Sequence, residues 1–104
     1  MYEISLNKDE TVLTLSDSVS ISETAGLRKE LQTLDATQNL IVDASKLDYI
    51  DSSGVACLIM AYSACAKKGA KVLLKDPSEA LMRVLDTLKF SSFFPILDWH
   101  RSAI

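Results

Sequence analysis

The segment 40–75 constrains the fold most, because it joins two apolar, strand-like runs through one long helix-like run. Residues 40–42 form a short continuous apolar run, which is typical of a strand buried on both faces. Residues 53–68 are apolar on most sides and end in lysines followed by Gly69, which is favourable chemistry for a helix end. Residues 71–75 are the next strand. Two strands joined through a helix need a crossover, so the pattern predicts a parallel, right-handed unit.

The residues before this unit predict a hairpin and a helix. Residues 2–6 and 11–15 alternate between polar and apolar, and the polar residues between them indicate an antiparallel hairpin. Residues 16–20 are polar and predict a loop. A capping box formed by the serine and glutamate of residues 20–23 then predicts a helix that ends at about Leu34.

The last third of the chain predicts one more helix and a short apolar end. Asp76 can cap this helix, Pro77 suits its first position, and Glu79 completes a capping box. Residues 93–96 predict a short edge strand, because their proline cannot donate to an interior ladder. Residues 98–104 are predicted to form a last helical turn or a frayed tail.

The predicted order is β-β-α-β-α-β-α with a short C-terminal strand or helix, which describes one α/β domain over residues 1–104 with a small mixed sheet packed with helices. A net charge of −3 argues against nucleic-acid binding. No apolar run approaches the roughly 20 residues that span a bilayer, so no direct membrane insertion is expected. The first residues lack the basic start and apolar run of a signal peptide, so the predicted location is cytoplasmic.

The candidate site lies where the central strand meets the long helix. Asp51, Ser52, Ser53 and Gly54 stand at the entrance of that helix, where free backbone N–H groups and the positive dipole end favour negative charge. A phosphate on Ser52 would meet these donors beside a carboxylate that repels it, which predicts a switch. From spacing alone, Ser52 or Ser53 is a helix N-cap worth about 1 kcal/mol, and Ser53 is interpreted as the cap or as a supporting hydroxyl.

The same residues carry a family resemblance. Residues 40–43, Leu47 and residues 50–54 (IDSSG) resemble the signature of STAS domains, the anti-sigma factor antagonists, and the resemblance covers roughly residues 38–97. It implies a single STAS-like domain that is a non-enzymatic switch without a cofactor. In the family, the serine directly after the aspartate is phosphorylated, and here that position is Ser52. The unphosphorylated form binds a GHKL-type serine kinase that is also an anti-sigma factor, phosphorylation releases it, and a phosphatase resets the switch.

The sequence departs from the family pattern in two places near the expected partner surface. Residues 15–17 (LSD) stand where many relatives have a glycine, and residues 55–56 (VA) replace a common Leu-Gly. A second branch of the superfamily supplies a subunit of bacterial phospholipid-transport ABC complexes, which binds the ATPase through the equivalent face; this branch is the alternative. The predicted partner-binding residues surround the phosphorylation site: Asp43, Tyr49, Ile50, Asp51, Ser52, Ser53, Gly54 and Val55.

Several of these residues also allow structural interpretations. Tyr49 and Ile50 are either an exposed apolar contact or part of the core. Gly54 either lets a partner approach the backbone or relieves crowding in the first helical turn. Asp43 is expected to order the loop that follows it through backbone hydrogen bonds, and a metal pocket of Asp43, Asp48 and Asp51 is the weaker interpretation.

Independent catalysis is not expected. No nucleophile has a histidine close by in sequence, and no glycine-rich phosphate loop is present. His100 is interpreted as a solvated side chain. Cys57 and Cys65 lie too far apart along one helix to bridge each other, so they are predicted to be buried free thiols.

Overall fold

The computed structural model describes residues 1–34, 38–90, 92 and 94–98. Five strands form one sheet, in which the strand order is β1-β2-β3-β4-β5, and three helices connect them. β1 is antiparallel to β2, and the remaining neighbours are parallel. The predicted α/β order is confirmed, and a strand is the last described element. The elements are β1 (Tyr2–Leu6), β2 (Glu10–Val19), α1 (Ile21–Thr33), β3 (Asn39–Ile50), α2 (Ser52–Lys67), β4 (Val72–Lys75), α3 (Glu79–Thr87) and β5 (Ile96–Asp98).

β2 and β3 continue beyond the strands that the sequence predicts. The loop predicted at residues 16–20 is mostly strand, and β3 includes residues 44–50. The two strands stay paired through two register shifts, and Asp17 adopts a left-handed φ of 58° between them. Polar residues are tolerated there because Asp17 and Ser18 are exposed. Register shifts and exposed polar residues break the alternation of apolar and polar residues that marks a strand. The sequence pattern therefore did not predict the extension of β2.

The three helices share one hydrophobic core with the sheet. Alternate residues of β2, such as Leu13 and Leu15, point into it, and so do Leu40 and Val42 of β3. Cys57 and Cys65 of α2 are buried and free, as predicted. The helical contributions come from residues that recur at helical spacing: Leu27 and Leu31 of α1, Val55 and Leu58 of α2, and Leu81 and Leu85 of α3.

α3 begins two residues later than predicted, and with a different cap. Its N-cap is Ser78, whose Oγ accepts a hydrogen bond from the N–H of Leu81 at 3.2 Å. The predicted cap, Asp76, has a left-handed φ of 48°, and Pro77 therefore lies outside the helix. The prediction was wrong because two capping residues stand close together and the backbone conformation selects the second.

α1 begins at the predicted place without the predicted capping box. Ser20 occupies the N-cap position, but its side chain makes no capping hydrogen bond and pairs with the Ser22 hydroxyl at 3.0 Å. The Glu23 carboxylate lies 3.0 Å from the Met1 ammonium instead of closing the box.

The sheet ends in an edge strand as predicted, but that strand is β5, Ile96–Asp98, which shares only Ile96 with the predicted range 93–96. The N–H of Leu74 donates to the Pro95 carbonyl at 2.8 Å, and β5 follows at the sheet edge. Phe93, His100 and the turn or tail predicted beyond Asp98 lie outside the described residues. Within the described part of the chain, no helix is long and apolar enough to cross a bilayer.

Candidate functional site

The candidate site lies where two paired strands end and two helices begin. At the ends of β2 and β3, Val19 pairs with Ile50, and the N–H of Asp51 donates to the Val19 carbonyl at 3.4 Å. Each strand is followed by one residue and then a helix, which starts at Ile21 on one side and at Ser52 on the other. The sequence 50–54 therefore lies beside the start of α1 as well as at the start of α2.

Asp51 is the N-cap of α2, so neither serine caps the helix, and Ser53 has the other role predicted for it, that of a supporting hydroxyl. Its backbone is extended, and its Oδ1 accepts the N–H of Gly54 at 3.1 Å and the hydroxyl of Ser53 at 2.5 Å. The Ser53 hydroxyl is the largest cause that lowers the pKa of Asp51; partial desolvation opposes it, and the backbone N–H groups of Gly54, Ile21 and Ser53 lower the pKa further. The carboxylate is therefore held ionised at the starts of both helices.

The two neighbouring serines have different environments. Ser52 is exposed, and among the described residues its hydroxyl has no hydrogen-bond partner. Ser53 is half-buried, and its hydroxyl is committed to Asp51. Only the Ser52 hydroxyl is thus both accessible and unengaged in this pair.

Gly54 packs closely against the end of the sheet. A β-carbon at this position would lie 2.6 Å from Cγ1 of Ile50 and 3.2 Å from Cγ1 of Val19. Ile50 and Val55 are 2% and 1% exposed, respectively. Three of the predicted partner-binding residues, Ile50, Gly54 and Val55, therefore support the site from the core and contribute little side-chain surface of their own.

A family model described as "Mlab, STAS domain" matches residues 3–97. The match covers nearly all of the chain and includes the whole candidate site. This chain belongs to the STAS-domain family.

Solved structures have the same fold as this STAS domain. The anti-sigma factor antagonist SpoIIAA in its unphosphorylated form is 16% identical, with a TM-score of 0.82 over 98% of this chain and 90% of that chain. The Bacillus cell fate determinant SpoIIAA in the phosphorylated form is 16% identical, with a TM-score of 0.77 over 98% and 94%. An anti-sigma-factor antagonist (STAS) domain protein from Planctomyces limnophilus is 13% identical, with a TM-score of 0.78 over 98% and 93%.

Asp43 is the predicted site residue that the STAS domain does not bring to Ser52. It lies seven residues before Ile50 on β3, which is about 23 Å along an extended strand. Its Oδ1 accepts hydrogen bonds from the N–H and the hydroxyl of Ser45, at 3.2 and 3.0 Å. This agrees with the ordering role, although the segment it orders is strand and not loop.

Metal binding finds no support in the described part of this STAS domain. No group of three histidine, cysteine, aspartate or glutamate side chains there comes close enough to hold an ion. The acidic pocket considered from the sequence, formed by Asp43, Asp48 and Asp51, is therefore not assembled.

Two exposed apolar side chains lie on the segments that meet at Asp51 in this STAS domain. Tyr49, three residues before Ser52, is 54% exposed, which decides in favour of the surface interpretation. Ile21, the first residue of α1, is 73% exposed and was not predicted as a site residue. An isoleucine outside the apolar stripe of its helix was the sequence signal that could have identified it.

Proposed function

We propose that this STAS domain is a phosphorylation-switched anti-sigma factor antagonist. In its unphosphorylated form it binds a GHKL-type serine kinase that is also an anti-sigma factor. Phosphorylation of Ser52 releases that partner, and a phosphatase restores the binding form. The domain acts as a cytoplasmic binding protein without catalysis of its own. The observation that carries the proposal is the exposed, unengaged Ser52 hydroxyl beside the ionised Asp51, on the fold of SpoIIAA, which is known in an unphosphorylated and a phosphorylated form.

Electrostatics supports release on phosphorylation. A phosphoserine carries roughly −1.5 to −2 charges near neutral pH. The adjacent Asp51 carboxylate already uses the N–H of Gly54 and the hydroxyl of Ser53. A phosphate on Ser52 therefore meets a like charge, with part of the helix N-terminus occupied. Its charge would remain at the surface, where a docking partner would have to desolvate it.

The first test is binding by charge variants of the serine. Ser52→Ala should bind the partner constitutively, whereas Ser52→Asp should weaken binding by at least about tenfold, because an uncompensated charge enters the interface. We would recover the partner with Ser52→Ala from native lysate, identify it by mass spectrometry, and titrate each variant with the purified protein. Equal affinity of Ser52→Asp and wild type would refute the switch.

The second part of the test is phosphate transfer. The recovered kinase should phosphorylate wild type and the matched control Ser53→Ala, but not Ser52→Ala, because of these two hydroxyls only that of Ser52 is exposed and unengaged. Phosphate on Ser53 in the wild type would contradict this assignment. Recovery of an ABC-transporter ATPase in place of a serine kinase would overturn the signalling function in favour of the alternative branch.

A further inference from the structure

We propose that Ile21 is a specificity-determining contact for the partner, and that with Tyr49 it forms an apolar pair flanking Ser52. The pair would pack against an apolar surface of the same serine kinase that recognises the unmodified serine. This inference rests on the proposed function, because it assigns further contacts to that site.

Ile21 is a large apolar side chain that the core leaves at the surface. Five large apolar side chains of the described residues are exposed, and at 73% Ile21 has the largest exposed fraction of them; the others are Met1, Leu6, Tyr49 and Leu88. The buried stripe of α1 runs through Leu27 and Leu31, so Ile21 contributes little to the core. A first helical turn usually carries polar or acidic residues, and an isoleucine there gains nothing from the helix dipole.

The backbone places Ile21 beside the phosphorylation site. Ile21 and Ser52 are the first residues of α1 and α2, and each lies two residues beyond one member of the pair Val19 and Ile50. The N–H of Ile21 is one of the groups that lower the pKa of Asp51, the residue before Ser52. The two helix starts therefore meet at one carboxylate. A protein that covers Ser52 closely would also meet Ile21.

Tyr49 extends the apolar surroundings along β3. Its Cα pairs with that of Ser18, so it lies on the strand pair that leads into both helix starts. Each of the two segments that converge before Ser52 thus carries one exposed apolar side chain. One hydrogen bond from the partner offsets the cost of burying a neutral hydroxyl in an apolar interface, whereas burying a phosphate there requires removing the much stronger hydration of a charged group. The apolar pair would therefore make affinity depend strongly on the state of Ser52.

The partner of this pair must offer apolar surface where it meets Ile21. Covering an exposed isoleucine removes apolar area from water and should contribute at least about tenfold to affinity. Leu6 provides a matched control, since it is 72% exposed and pairs with Thr11 at the opposite end of β2. Both positions are exposed, so substitution to serine should leave the denaturant midpoint of unfolding unchanged.

The experiment combines cross-linking with titration. A benzophenone amino acid at position 21, in the Ser52→Ala chain, should cross-link the serine kinase in cells, and the same group at position 6 should not. In titrations with the purified kinase, Ile21→Ser should bind at least about tenfold more weakly. Leu6→Ser should bind within about twofold of wild type.

The binding of the two variants Ile21→Ser and Ser52→Asp distinguishes a failure of the Ile21 contact from a failure of the proposed switch. If Ile21→Ser binds like wild type while Ser52→Asp loses binding, the switch stands and the Ile21 contact is refuted. If Ile21→Ser loses affinity while Ser52→Asp binds like wild type, the contact stands without the switch. A missing cross-link from position 21, or a cross-link to a protein other than the kinase, overturns the Ile21 contact.

Discussion

The Asp51 carboxylate connects the starts of two helices, and its contribution can be measured separately from partner binding. Asp51→Ala removes the acceptor for the N–H of Gly54 and the hydroxyl of Ser53. We expect this change to lower the free energy of unfolding by about 1 kcal/mol, the usual value of an N-cap, in urea titrations at pH 7. Asp51→Asn is the matched control, because asparagine caps helices about as well; an equal loss in both variants would contradict the capping role.

The charge of Asp51 predicts a pH dependence of stability. The pKa of this carboxyl in the folded state lies below its ordinary value of 3.8. The ionised form is therefore favoured by folding, and this contribution is fully present above the ordinary value and declines as the pH falls through the folded one. The stability difference between wild type and Asp51→Asn should change below about pH 4 and be flat above pH 5. A difference that is flat throughout acid unfolding would refute the role of the charge.

At the scale of elements, the two serine N-caps are expected to differ in strength. Ser78 accepts the N–H of Leu81, whereas the Ser20 side chain makes no capping hydrogen bond. Ser78→Ala should lower the free energy of unfolding by about 1 kcal/mol, and Ser20→Ala by clearly less, because only the first leaves a helix N–H without its acceptor. Urea titrations of the two single variants measure both changes in the free energy of unfolding. Equal decreases would show that the hydrogen bond of Ser78 contributes little.

The order of the elements could be predicted from the sequence, but the details at their ends could not. Apolar runs, helical spacing and the lysines before Gly69 define where strands and helices occur. The caps of α2 and α3 were misassigned because several side chains able to cap stand within three residues, and the backbone conformation selects among them. Asp76 shows this most clearly, since its left-handed φ removes it from the capping position.

The candidate site could be predicted only in part, because some of its residues come together from distant segments of the chain. The resemblance pointed to Ser52, and the structure adds which neighbouring hydroxyl is free. Local sequence does not report contacts between distant segments, so the proximity of Ile21 to Asp51 could not be predicted. The distance of Asp43 from Ser52 could not be predicted either. Residues 44–50 extend β3, but their apolar and polar side chains do not alternate regularly, so the sequence did not indicate a strand there.

At the scale of the whole molecule, the reaction rates of the two buried thiols measure how often the core opens. Cys57 and Cys65 are 0% and 5% exposed, and burial raises the pKa of both. In native buffer we expect a disulfide reagent to modify Cys57 at least about a thousandfold more slowly than in the unfolded chain, because reaction requires unfolding. Cys65 lies near the end of α2 and should react earlier through local opening. Rapid modification of Cys57 in the native protein would contradict the packed core.

The close packing of Gly54 has a consequence for how a partner would sense the proposed switch. Since a β-carbon there would fall 2.6 Å from Cγ1 of Ile50, the first turn of α2 has no room to move toward the sheet. If Ser52 is phosphorylated as we propose, the phosphate cannot be accommodated by a shift of the helix start in that direction. The partner would then meet the new charge as a change of the surface itself, on a helix whose position against the sheet is unchanged.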